Sequence, residues 1–185
     1  MNSIENAIKY ARENEQLFLR ELFEFLSIPS ISTDPESISD IQKAAEWVSR
    51  KLVRTGIDNV KIIPTEGHPV VTGEYLKAGA QKPTVLIYGH YDVQPVEPLD
   101  LWNSKPFEPA LSGDFLYARG SSDMKGQIMA SINSIEAIMK TGKFPVNLKF
   151  LIEGEEEIGS PSLLKFLEDH QDDLSSTFAL NPDTG

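Results

Sequence analysis

The hydrophobic pattern changes period once along the chain, and that change limits the folds open to it. Ile4, Ala7, Ile8 and Ala11, then Phe18, Leu22, Phe23 and Leu26, recur at helical spacing, as do Ile38, Ile41, Ala45, Val48 and Leu52 further on. Side chains so spaced share one helix face, which predicts one long amphipathic helix over residues 3–26 and a second over 36–55. Pro29 disfavours helical dihedrals at Ile28 and ends the first. Gly56 is placed as a left-handed cap for the second. From residue 60 onward the apolar residues come in short runs instead, at 60–63, 70–75, 84–88, 115–118, 146–152 and 178–180. A run such as Thr84-Val85-Leu86-Ile87-Tyr88 suits a strand buried on both faces. Residues 95–109, rich in proline and polar side chains, read as a loop. Between the strands lie a helix at 127–139, closed by Gly142, and another at 160–169, with Ser160 as N-cap and Pro161 at the first helical position. Elements in this order predict an α/β fold, a three-layer α/β/α sandwich on a mixed, mostly parallel sheet.

A length of 185 residues suffices for one well-packed domain, and neither a repeat nor a linker marks a second. The net charge of −11 argues against a nucleic-acid partner, because phosphate binding needs clustered Lys and Arg. With no cysteine, disulfides and thiolate metal sites are excluded. The start of the chain carries charges every few residues, unlike a signal peptide, and no stretch approaches the ~20 apolar residues that span a bilayer. A cytoplasmic location, without a membrane partner, is the expectation.

The residues able to do chemistry stand just after the predicted strands. The strand at 84–88 runs into Gly89-His90-Tyr91-Asp92-Val93-Gln94-Pro95. The one at 115–118 runs into Arg119-Gly120-Ser121-Ser122-Asp123-Met124-Lys125-Gly126. The one at 146–152 leads to Glu153-Gly154-Glu155-Glu156-Glu157-Ile158-Gly159-Ser160, and the last to Asn181-Pro182-Asp183. Ligand sites of open α/β sheets lie beyond the carboxyl ends of the strands, so one histidine and several carboxylates would meet at one rim. Two carboxylates ~4 Å apart repel by roughly 4 kcal/mol at an effective dielectric near 20. Asp123, Glu156, Glu157 and Asp183 could not converge ionised without a cation. Mixed His and carboxylate donors suit zinc, manganese or cobalt. Taken singly, each motif has a plainer reading: a structural histidine, a solvated acidic turn, a helix start at Asp123, a turn at 181–183. A single structural calcium ion is another, against which His90 argues, since calcium prefers oxygen. Trp47 reads as packing and His68 as a loop residue.

Together these four motifs resemble the di-metal peptidase family that includes carnosine dipeptidase, aminoacylase, acetylornithine deacetylase and succinyl-diaminopimelate desuccinylase. Residues 102–107 (Trp-Asn-Ser-Lys-Pro-Phe) fit the loop between the first two motifs, and the His-Tyr-Asp-Val-Gln-Pro form is closest to the dipeptidase branch. The resemblance implies a zinc-exopeptidase-like fold and two divalent metal ions, zinc first, with manganese or cobalt as alternatives. It implies His90 and Asp183 as ligands of the first metal, Asp123 as the bridging ligand and Glu157 as a ligand of the second. Asp92 would orient His90, and Glu156 would be the catalytic base. It also implies a cis Asp123–Met124 bond. The implied reaction is hydrolysis of dipeptides or short peptides, with Glu156 activating a metal-bridging water that attacks the peptide carbonyl.

Relatives of this kind are longer, with a lid or dimerisation domain and a returning segment that carries a last histidine ligand and holds the substrate carboxylate. Residues 1–185 are therefore expected to be the N-terminal part of the catalytic domain of a truncated product. Its second metal site would be incomplete and its activity weak or absent, while the full-length protein would form a homodimer. His170, among Glu168, Asp169, Asp172 and Asp173, is no substitute for the missing histidine. Ala118 stands where relatives commonly have glycine. Two other functions stay open: an amide deacylase acting on N-acyl amino acids, and a non-catalytic metal-binding or structural module.

Overall fold

The computed structural model describes residues 3–183. The amphipathic N-terminal segment forms two helices, α1 (Ser3–Glu13) and α2 (Glu15–Leu26), rather than the single helix expected from its period. The break is at Asn14, whose side-chain amide donates to the Tyr10 carbonyl that its own backbone N–H also uses. Short polar side chains compete with helical hydrogen bonding in this way. Helix α3 (Ile38–Thr55) ends as expected on Gly56, which takes the left-handed conformation at φ 98°.

Among the described residues seven strands follow: β1 (Asp58–Ile63), β2 (Val70–Tyr75), β3 (Thr84–His90), β4 (Ala110–Ser112), β5 (Phe115–Tyr117), β6 (Asn147–Glu153) and β7 (Phe178–Leu180). Helix α4 (Lys125–Thr141) lies between β5 and β6; α5 (Leu163–Asp169) and α6 (Gln171–Leu174) lie between β6 and β7. The short turn at 99–101 falls within the expected loop, and strand β4, just after it, was not expected from the sequence. Ser112 pairs with Phe115, so Gly113-Asp114 is a two-residue hairpin loop, and Gly113 supplies its positive φ.

The main sheet has the order β1-β2-β6-β3-β7. Strand β2 is antiparallel to β1 and β6, whereas β3 is parallel to β6 and β7, so four of the five strands point the same way. Alternation along the strands divides the core. Val85, Ile87, Leu148, Phe150 and Ile152 face Phe25, Trp47, Val48, Ile128 and Ile132 of α2, α3 and α4. Leu86, Tyr88 and Leu151 face Phe166, Leu163 and Leu174 on the opposite side. These are the three layers. Trp47 packs as expected, stacked on Phe25 with ring centroids 4.6 Å apart.

Helix α5 begins at Leu163, not at Ser160. Ser160 has a positive φ of 51°, and its hydroxyl donates to Glu153 instead of capping the helix. The turn at the sheet rim claims it first.

Candidate metal centre

Parallel pairing of β3 with β6 sets His90 opposite Glu153, so both strands end at one level of the sheet. The chain past β3 and the turn past β6 therefore leave the rim side by side. His90 is fully buried. Its Nε2 stands 3.1 Å from Asp123 Oδ1, 3.7 Å from Asp183 Oδ2 and 3.8 Å from Glu156 Oε2. Donor atoms of His90, Asp123 and Glu157 lie within 4.8 Å of one another. All four acidic residues expected at the rim, carried by three different chain segments, thus surround one imidazole.

Behind the ring, Nδ1 lies 3.3 Å from Asp92 Oδ1 and 3.0 Å from the Asp92 carbonyl. The buried Asp92 carboxylate also accepts the backbone N–H groups of Glu156, at 3.3 Å, and Glu157, at 3.1 Å. One carboxylate thereby orients the histidine and seats the acidic turn. The Asp123–Met124 bond is cis. The Met124 sulfur accepts the His90 backbone N–H, which ties this segment to the end of β3.

The three consecutive glutamates separate. Glu155 is buried, and its two oxygens accept the N–H groups of His68 and Ser162. It staples the turn to the β1–β2 loop and to the entrance of α5, and His68 is a loop residue in that staple. Glu156 and Glu157 form a single helical turn pointing at His90, ended by Gly159 at φ 84°. Gln94 donates its backbone N–H to Glu157 Oε1 and its side-chain amide to Glu157 Oε2 and to the Glu157 carbonyl. Nothing in the sequence assigns a role to Glu155 or Gln94. Their partners are distant in sequence, and the only local sign was that each stands within a motif.

Lys125 is buried, and its ammonium donates to the Phe25 and Ile28 carbonyls at the end of α2. Burial pushes it down to about 7, against the raising charges of Asp92 and Asp40. Arg119 donates to the Pro95 carbonyl and lies over the Trp102 ring at 5.3 Å, fixing the loop beyond Gln94. His170 packs on Phe166 in the outer layer and pairs with Asp173, apart from the cluster, as expected.

Burial alone would lower the His90 imidazole, but the hydrogen bond and charge of Asp92, with the charges of Glu156 and Glu157, take it up to about 9. Burial raises Glu157, the Gln94 hydrogen bonds lower it, and Asp123 raises it again. The cluster is thus short of positive charge. Two donors ~2.1 Å from one tetrahedral zinc ion stand roughly 3.4 Å apart, close to the 3.1 and 3.7 Å that separate His90 from Asp123 and Asp183. With one imidazole and several carboxylates as donors, the residues fit a divalent transition metal.

The profile of peptidase family M20/M25/M40 matches residues 86–183. The Saccharomyces cerevisiae protein named Probable di- and tripeptidase DUG2 is 33% identical over 86% of this chain and 19% of its own length. The human Beta-Ala-His dipeptidase is 32% identical over 91% of the chain and 36% of its own. The crystal structure of human carnosine dipeptidase 1 superposes with a TM-score of 0.90 at 29% identity, covering all of this chain and 42% of that one. The chain thus spans well under half the length of these relatives.

Proposed function

Since the chain belongs to peptidase family M20/M25/M40, we propose that it is the metal-carrying part of a metallodipeptidase acting on dipeptides or short peptides. The observation that carries this reading is the His90 imidazole, buried among Asp123, Glu156 and Asp183 with its far nitrogen on Asp92. Of the named relatives one is a probable di- and tripeptidase and two are dipeptidases, and the His-Tyr-Asp-Val-Gln-Pro segment favours the dipeptidase branch.

His90, Asp123, Glu157 and Asp183 would hold two divalent ions, zinc first. Bound there, the ions would supply Lewis acidity and a water acidified toward neutral pH. His90 offers Nε2, because its contacts with Asp92 occupy Nδ1 and set the ring's orientation. Asp92 acts a second time through the N–H groups of residues 156 and 157, keeping both glutamates turned toward the histidine. Glu156 remains partly open to solvent, as a proton-transfer group that meets substrate must be. Its carboxylate takes a proton from the attacking water and returns it to the leaving nitrogen. A purely ligating or structural site has no need of this fifth acidic group.

In this reading residues 1–185 are the N-terminal part of the catalytic domain of a longer, homodimeric, cytoplasmic enzyme. By itself the chain hydrolyses dipeptides weakly or not at all. Zinc titration followed by calorimetry tests the reading without relying on turnover. The unchanged protein and Glu156→Ala are expected to bind zinc, and Asp123→Ala to lose it. Undiminished binding by Asp123→Ala, or none by the unchanged protein, overturns the assignment. Glu156→Ala in the full-length enzyme should abolish dipeptide hydrolysis while retaining metal.

A further inference from the structure

We infer that Gln94 is a positioning residue for Glu157, aligning that carboxylate for metal through a neutral clamp; this rests on the metal reading above. The clamp has three contacts. The Gln94 backbone N–H reaches Glu157 Oε1 at 3.2 Å, and the side-chain amide reaches Oε2 at 2.7 Å and the Glu157 carbonyl at 3.2 Å. Both hydrogens of the amide nitrogen are thereby used on one residue, and both carboxylate oxygens of that residue are held.

The backbone half of the clamp is rigid for reasons that lie outside Gln94. Val93 is buried, pairs with Ile31 in an isolated parallel bridge and donates its N–H to the Ser30 carbonyl. Pro95 follows, restricting Gln94 to extended dihedrals, and its carbonyl is held by Arg119. The Gln94 N–H therefore has little freedom to turn away.

Gln94 itself is exposed. An exposed glutamine that gives up its rotamer freedom for two side-chain bonds to one residue gains little folding stability from them. Their consequence lies in the direction of the Glu157 carboxylate. The chemistry of the donor matters as well. A lysine in its place would still offer donors to Glu157, but its charge would oppose any metal ion arriving among His90, Asp123 and Glu157. An amide donates without a charge, and leaves the cluster its net negative charge.

Zinc titration of the unchanged protein, Gln94→Met and Gln94→Lys tests the inference, with thermal melting of each metal-free protein alongside. Methionine keeps the length and removes the donor. It should weaken zinc binding about tenfold, the lower end of what loss of an outer-shell partner produces, and leave the metal-free melting temperature unchanged. Lysine should weaken binding at least as much. Zinc affinity within threefold of the unchanged protein for Gln94→Met overturns the positioning role. So does a fall in its metal-free melting temperature, which would mark a structural contact. If the unchanged protein binds no zinc, the metal reading itself fails and takes this inference with it.

Discussion

Lys51 is the residue whose loss the N-terminal helices should feel most. Its ammonium, with a side chain 1% exposed, donates to Glu21 at 2.6 Å and to Glu136 at 2.7 Å, joining α2, α3 and α4. Tyr10 of α1 donates to the same Glu136, and burial and the Glu136 charge raise its hydroxyl, so it remains a donor. Lys51→Met removes the shared cation and leaves two nearly buried carboxylates facing each other. Oxygens that both touch one ammonium lie no more than ~5.3 Å apart, where like charges repel by about 3 kcal/mol at an effective dielectric near 20. Arg54 sits 3.5 Å from Glu21 but is more than half exposed, so it offsets only part of this. Breaking one member out of a buried ion pair costs about 3–5 kcal/mol, in line with that repulsion. For a chain of this size each kcal/mol moves the melting temperature by roughly 2–4 °C, so a fall of about 6–20 °C is expected in calorimetry. The triple replacement Lys51→Met, Glu21→Leu, Glu136→Leu should recover most of it, because apolar groups of similar volume match buried ion pairs. A single-variant loss below roughly 1 kcal/mol, the level of a surface pair, or a triple variant as unstable as the single one, would refute the argument.

Gly126→Ala should destabilise and weaken zinc binding together, because its Cβ would meet the Ser121 backbone carbonyl at 2.1 Å and push on the segment carrying Asp123. A loss of about 1–3 kcal/mol in urea unfolding is expected. Glu155→Ala strands the N–H groups of His68 and Ser162; about 1–3 kcal/mol should be lost in the same assay, even with zinc absent. Zinc at a hundredfold excess over its dissociation constant should add about 2.7 kcal/mol, a rise of roughly 5–11 °C in melting temperature that chelation reverses. An unchanged melting curve would speak against any metal site.

Much of the layout was legible from local periods. Continuous apolar runs marked β3 and β6 because strands buried on both faces leave no polar alternation, and Gly56 marked the end of α3 because only a left-handed cap fits there. Two local signals misled. Residues 3–26 hold their helical period across Asn14, yet the side chain of Asn14 interrupts the helix. Ser160-Pro161 looks like a helix start, yet Glu153 draws the hydroxyl away.

By itself the sequence determined that His90, Glu156, Glu157 and Asp183 follow the ends of strands, since strand ends follow from patterns only a few residues long; Asp123 follows β5, which pairs only with β4 outside the main sheet, so its place beside His90 was decided by the tertiary structure. Tertiary structure alone decided what each acidic group faces there. Three consecutive glutamates in a turn have no period to tell them apart. Glu155 turns inward because His68 and Ser162 present unpaired N–H groups to it, and Glu157 is held toward His90 by Gln94, more than sixty residues earlier in the chain.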